Sequence, residues 1–217
     1  MRPEVADSET AAARVRRQLS DRIATGTLHP GDRVVDTAIA DELSVSRNTV
    51  RDALKLLEVD GLVTTRRNAG FTVRRLEGND VRDIYGARRI IELGGVATAP
   101  AASLERRDAM LIAAERTMSA VETAEWNVVG TYSLGFHRAI VSLAGVPTLD
   151  RLFDVLRAQL RLAFAVMTDE AEFQRQWAPR DLEIARAVHA GLTQRATDLL
   201  RAYLDDSEAQ VLDAIGA

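Results

Sequence analysis

The chain has 217 residues, with 28 Lys/Arg against 32 Asp/Glu, a formal charge of −4, and 47% hydrophobic and 28% charged residues. This balance can bury real cores and excludes general disorder, and at roughly 100–200 residues per domain the length leaves room for two. The absence of cysteine excludes disulfide frameworks, thiolate metal sites and cysteine nucleophiles. No run of about 18 apolar residues appears, and the opening MRPEVADSETAAARVRRQ is charged where a secretory signal needs an apolar stretch, so a cytoplasmic protein is expected. The charge is divided between the halves. Residues 1–76 hold 13 basic against 11 acidic residues, and the remainder holds 15 against 21. From Arg47 to Arg75, seven basic residues stand against Asp52, Glu58 and Asp60. Such bias suits a polyanion-binding face, but a solvated surface looks the same, so the pattern of elements has to decide.

From Thr10 to Ile23, Ala11, Val15, Leu19 and Ile23 recur every fourth position and predict a helix, which Gly26 and His29-Pro30-Gly31 terminate. Asp36 is the expected N-cap of a short second helix carrying Ile39, Ala40 and Leu43 and stopping near Ser44. Ser46 is expected to cap a third, with Val50, Leu54 and Leu57 inward and Arg47, Asn48 and Arg51 on the exposed side. Gly61 ends it. Leu62–Thr65 and Phe71–Val73 are β-prone and flank Arg66-Arg67-Asn68-Ala69-Gly70, which predicts a hairpin with a basic tip.

Two short helices, the second basic, followed by a hairpin form a winged helix-turn-helix. Its recognition helix fits the major groove of double-stranded DNA and presents N-terminal side chains to base edges. Arg47 and Arg51 lie four apart and share a face; either suits guanine O6 and N7, and Asn48 suits adenine. Ser46 and Thr49 suit phosphates, and Arg66 and Arg67 suit the neighbouring backbone or minor groove.

The segment from Gly26 to Val73 resembles the DNA-binding domain of the GntR family of bacterial regulators, through Leu28-His29-Pro30-Gly31, Val45-Ser46-Arg47, Val50-Arg51-Asp52-Ala53-Leu54, Gly61-Leu62-Val63 and Gly70-Phe71-Thr72-Val73. The resemblance implies operator contacts from Thr37, Ser46, Arg47, Asn48, Arg51, Arg67 and Asn68. Asn48-Thr49 stands where many relatives have Thr-Pro, and Thr37 where some have a basic residue, so the operator sequence does not carry over.

Beyond a polar connector, Leu76–Asp80, the chain reads as six helices, near 80–98, 104–121, 124–144, 148–168, 170–190 and 194–214. The expected fold is therefore mainly α: a winged helix-turn-helix over 1–76 and an all-helical antiparallel bundle over 77–217. This second part resembles the FCD effector domain of FadR-type members, in its six-helix VanR-like form, through Ile84–Glu92, Phe136-His137-Arg138-Ala139-Ile140 and the last two helices. In many members an Asp/His pair four apart and two further histidines hold a divalent metal. The equivalent positions here are Ser133, His137, Asp181 and Tyr203, two good ligands and two poor ones, so no metal and no cofactor is expected. The same four residues can hydrogen-bond an effector directly, and Arg88 can pair with a carboxylate.

Plainer readings stand beside these. His137 can be a satisfied core histidine, Arg88 can pair with Glu92 at i+4 on the surface, and Trp126, Trp177 and Phe164 can be packing residues. No role falls to His29 or His189. The combined expectation is a homodimeric regulator that reads an inverted-repeat operator and is released by a small organic acid or related metabolite. The alternatives are a constitutive dimeric DNA-binding protein and a helical-bundle hydrolase. Against the hydrolase, the chain has no Gly-x-Ser-x-Gly elbow, no His-Glu-x-x-His and no phosphate-binding glycine loop, and no enzyme is expected.

Overall fold

Thr10 opens the first helix, α1 (Ala11–Ala24), its hydroxyl accepting the Ala13 N–H at 3.2 Å. The four-residue spacing of Val15, Leu19 and Ile23 turns one stripe inward, where it packs on α3 (Arg47–Val59), whose Val50, Ala53, Leu54 and Leu57 are buried. Between them lies α2 (Asp36–Leu43), closed by Ser44 in the left-handed region at φ 53°. Ser46 caps α3 as expected, accepting the Thr49 N–H at 3.1 Å. The expected cap of α2 is corrected. Val35 holds the N-cap position without a side-chain bond, and Asp36 is the first helical residue. Its carboxylate accepts from Arg47 and Arg51 of α3 instead, because a charged donor holds it more strongly than a neutral backbone N–H.

Gly61, at φ +70°, takes the chain out of α3 through a conformation that side chains resist. Strands β2 (Val63–Arg66) and β3 (Gly70–Val73) then pair antiparallel, with Val63 opposite Val73 and Arg66 opposite Gly70. A further strand, β1 (Arg33–Val34), joins the other edge of β3 to give the order β1-β3-β2. Sequence reading missed β1, since two residues carry no alternation. This first part of the chain is a winged helix-turn-helix.

The computed structural model describes residues 9–66, 70–165 and 170–217 and divides into two units, Met1–Arg74 and Arg75–Ala217. The second unit is helical: α4 (Gly78–Thr98), a single 3-10 turn at Ala99–Ala101 that carries Pro100, α5 (Leu104–Glu122), α6 (Trp126–Ser142), α7 (Pro147–Phe164), α8 (Glu170–Arg175), α9 (Trp177–His189) and α10 (Thr193–Ala214). The six-helix expectation is corrected to seven among the described residues, because the segment expected as 170–190 breaks at Gln176. The cause is Pro179, which has no N–H to offer the Arg175 carbonyl and is tolerated only within the first turn of a new helix. Among the described residues no helix is long and apolar enough to cross a membrane.

In this unit α4 packs on α6 and α10, and α9 packs on α5, α6 and α10. Tyr85, Phe136, Ile140, Ile184, Leu200 and Leu204 lie in the apolar core at these crossings. The α4–α6 crossing is close at Gly95, where an added Cβ would fall against the Ile140 carbonyl oxygen and within 3.2 Å of Val141 Cα. Gly95→Ala is therefore expected to lose about 1–3 kcal/mol in urea unfolding, by forcing the two helices apart. Gly94→Ala, which meets nothing within 4 Å, is expected to be neutral or to gain up to about 1 kcal/mol through helix propensity.

Candidate functional site

The exposed N-terminal face of α3 collects the polar residues expected there. Ser46, Arg47, Asn48 and Arg51 are exposed, Thr49 is half-buried, and Thr37 is exposed on α2. Their hydrogen bonds modify the expectation. The Ser46 hydroxyl is shared between the Thr49 N–H and the Thr49 hydroxyl, at 2.8 Å from the latter, so it serves first as a cap. Arg47 Nε and Arg51 Nη1 both reach Asp36 Oδ2, at 3.0 and 3.3 Å, and hold its carboxyl below the usual carboxylate range. Arg66 ends β2, while Arg67 and Asn68 lie outside the described residues.

The second site is inside the helical unit, where α4, α6, α9 and α10 each contribute polar groups to one buried cluster. On α4 the inward stripe Val81, Ile84, Tyr85 continues through Arg88 and Glu92 to Val96, which places two charged side chains in the core at 2% and 0% exposure. Arg88 Nε donates to Glu92 Oε1 at 2.6 Å, and Glu92 Oε2 lies 2.6 Å from His137 Nδ1 on α6. One carboxylate thus binds two partners. Ser133, one turn before His137, lies 3.4 Å from the Tyr203 hydroxyl on α10, and Asp181 Oδ1 on α9 lies 3.6 Å from His137 Nε2. The cluster therefore unites Arg88, Ser133, His137, Asp181 and Tyr203. The surface salt bridge considered for Arg88 and Glu92 is corrected to a buried one.

Sequence reading treated Glu92 only as a surface partner for Arg88, although the i, i+3, i+4, i+7 stripe on α4 was a signal that both lie inward. Trp177 belongs to the site as well as the packing. Its ring packs tilted against Tyr203 at 4.8 Å between centroids, and Tyr203 packs the same way against His137 at 4.8 Å. Phe173 and Phe164 extend the row of rings. His189, by contrast, is an outer residue paired with Asp108 at 3.0 Å.

Burial acts differently on each group. It works to raise the Glu92 pKa, but Arg88 and His137 outweigh it, and Glu92 lies below its ordinary value. Burial dominates at His137, whose pKa is lowered, so the ring is neutral; with Glu92 ionised, Nδ1–H is the donor and Nε2 carries the lone pair. Burial also dominates at Asp181, raising its pKa well above the usual range, while the nearby Ser133 and Tyr203 hydroxyls offset only part of this. Tyr203 is likewise pushed well up by burial and by Asp181. These donors do not fit the divalent metal that the resemblance implies. His137 Nε2 and Asp181 are two ligands, while Ser133 and Tyr203 supply neutral hydroxyls, and Tyr203 resists deprotonation.

Five buried atoms of this cluster have no hydrogen-bond partner in the protein: Arg88 Nη2, His137 Nε2, Trp177 Nε1 and both Asp181 carboxyl oxygens. Native cores satisfy most such groups, so their concentration in one place makes the cluster a candidate ligand site. Two variants test the electrostatics. Glu92→Gln leaves the Arg88 charge buried and unbalanced, and is expected to cost about 3–5 kcal/mol in chemical denaturation. Asp181 holds a proton in the fold that the unfolded chain releases above about pH 4, so its contribution turns increasingly unfavourable as pH rises from there. Asp181→Asn is expected to melt higher than wild type at neutral pH, with the difference vanishing as the pH is lowered to about 4.

Residues 11–73 match the family model described as bacterial regulatory proteins, gntR family, and residues 83–206 match that of the FCD domain. The chain is 40% identical over 75 residues to the HTH-type transcriptional regulator YdhC of Bacillus subtilis, covering 35% of this chain and 34% of that protein. It therefore spans only about a third of that relative's length. It is 27% identical over 198 residues to the HTH-type transcriptional repressor GlaR of Escherichia coli, covering 87% of this chain and 90% of that one. The crystal structure of a GntR transcriptional regulator from Rhodococcus sp. RHA1 superposes with a TM-score of 0.85 at 36% identity, covering 94% of this chain and 98% of that one. With a winged helix-turn-helix at its front and an FCD domain behind it, the chain belongs to the GntR family of bacterial regulators.

Proposed function

We propose that the protein is a transcription regulator that binds operator DNA through α3 and the β2–β3 hairpin and responds to a small molecule held in the buried cluster of its helical unit. The observation that carries the DNA half is the exposed end of α3, where Arg47, Asn48 and Arg51 present base-reading chemistry on one face. Ser46 and Thr49 sit at the helix N-terminus, where backbone amides favour phosphate. Thr37 stands close by in sequence on α2, and the basic residues Arg66 and Arg67 with Asn68, at and just beyond the end of β2 in sequence, suit the neighbouring DNA backbone. The cluster's unpartnered polar atoms support the sensing half.

Two copies related by a twofold axis would read an inverted repeat, and the ligand acts by changing the spacing or orientation of the two winged units. Its effect is limited to the difference in its affinity for the two arrangements. The resemblance to a relative named as a repressor supports release from DNA as the outcome. The test is fluorescence anisotropy of the full chain on duplexes taken from upstream of its own gene, across a salt series. Affinity is expected to fall linearly on a log–log plot as counterions are released, and Arg51→Ala is expected to weaken specific binding by roughly 1–3 kcal/mol while relaxing selectivity at one base pair. A protein with no salt-sensitive preference for any of these duplexes would not be the regulator described.

A further inference from the structure

Among the described residues, the charge of the cluster's own guanidinium is already matched, and that limits what can bind there. Arg88 is the only cation among Arg88, Ser133, His137, Asp181 and Tyr203, and Glu92 Oε1 occupies its Nε at 2.6 Å. The second Glu92 oxygen is taken by His137. Arg180, which lies over Trp177 and Tyr203, is balanced by Asp206 at 2.8 Å. Arg161, buried on α7, lies over Phe164 and is already engaged. Among the described residues of the cluster, no unbalanced positive charge is left for an anion to neutralise.

What the cluster does offer is hydrogen bonding without charge. Arg88 Nη2 and Trp177 Nε1 are unpartnered donors, His137 Nε2 is an unpartnered acceptor, and the Asp181 carboxyl feels the Ser133 and Tyr203 hydroxyls but makes no hydrogen bond of ordinary geometry with either oxygen. The rings of His137, Tyr203 and Trp177 wall the same place with flat apolar surface. A hydroxyl or primary amide can both donate, as His137 Nε2 requires, and accept, as Arg88 Nη2 and Trp177 Nε1 require. A carboxylate cannot donate, and it would be stripped of water beside Asp181 and Glu92 with no cation left to repay the loss. The conclusion does not depend on the protonation of Asp181: as an acid it leaves the cluster neutral, and as a carboxylate it makes the cluster more hostile to anions.

Building on the sensing role proposed above, we propose that this cluster takes an uncharged hydroxyl- or amide-bearing ligand without a metal ion and rejects the carboxylate of the same skeleton. The organic acid that family resemblance suggests is thereby replaced by a neutral polar molecule. Isothermal titration of the full chain at neutral pH, with matched pairs, tests the assignment: lactamide against lactate, benzamide against benzoate, and erythritol against erythronate. Each pair shares its skeleton, so size and ring stacking cancel. At least one uncharged member is expected to bind, with its carboxylate at least about tenfold weaker, and Asp181→Ala is expected to reduce the uncharged member's affinity by a similar factor.

Glu92→Gln, which frees the Arg88 charge, is expected to shift the preference toward the carboxylate of that pair. The wild-type titrations decide the matter even if this variant fails to fold. A carboxylate that binds as tightly as its uncharged counterpart, or one that binds only with added zinc chloride, overturns the assignment and leaves the sensing role intact. Absence of heat from every member, in protein that still binds DNA with salt sensitivity, overturns the sensing role and this assignment with it.

Discussion

The helical unit is organised around a single carboxylate. Glu92 lies fully buried and holds Arg88 with one oxygen and His137 with the other. A charge so far from water is tolerated only because its lone pairs are occupied by strong donors, and the same is true of the guanidinium beside it. The pair fixes the rotation of α4 about its axis and, through His137, the facing of α6. With α6 set, Ser133 meets Tyr203 of α10 and His137 Nε2 faces Asp181 of α9. An apolar core of the same volume would hold these helices together as well. It would not impose their register as sharply, nor leave polar atoms awaiting a partner.

The two units differ in how they use charge. In the winged unit, cations stand at the surface and the core is apolar, with Val15, Leu19, Leu54 and Leu57 almost fully hidden. In the helical unit the most consequential charges are inside and paired. A surface designed to meet a polyanion needs exposed, screenable charge, whereas discrimination among small molecules needs polar groups in a medium where water does not compete.

Much of this was legible from residue order. The four-residue stripe of α1, the Ser46 cap, the hairpin around the glycine turn and the bounds of α5 and α10 all follow from local rules, because each depends on neighbours a few residues away. The break before α9 is legible in Pro179, which cannot continue a helix from the preceding turn. Arg88, His137, Ser133, Asp181 and Tyr203 were singled out from motif positions, and the structure brings them together. Their partners were harder to foresee. Glu92 lies four residues from Arg88 on any helix, but its second bond crosses 45 residues to another helix, and no periodicity encodes that. The Asp36 contacts, 11 and 15 residues away, were hidden for the same reason behind a plausible capping role.

Asp36 has a further consequence for how such a molecule would search a chromosome. Its carboxylate occupies the two arginines of α3 while the face is unbound, so they approach a duplex partly self-screened. A phosphate of any sequence would have to displace this carboxylate with another single anion, whereas a guanine edge offers a flat two-point partner in exchange. In the DNA-binding role proposed above, the internal carboxylate would act as a resident competitor, loosening the grip on unmatched sequence more than on matched sequence and letting the protein move on quickly from the wrong place.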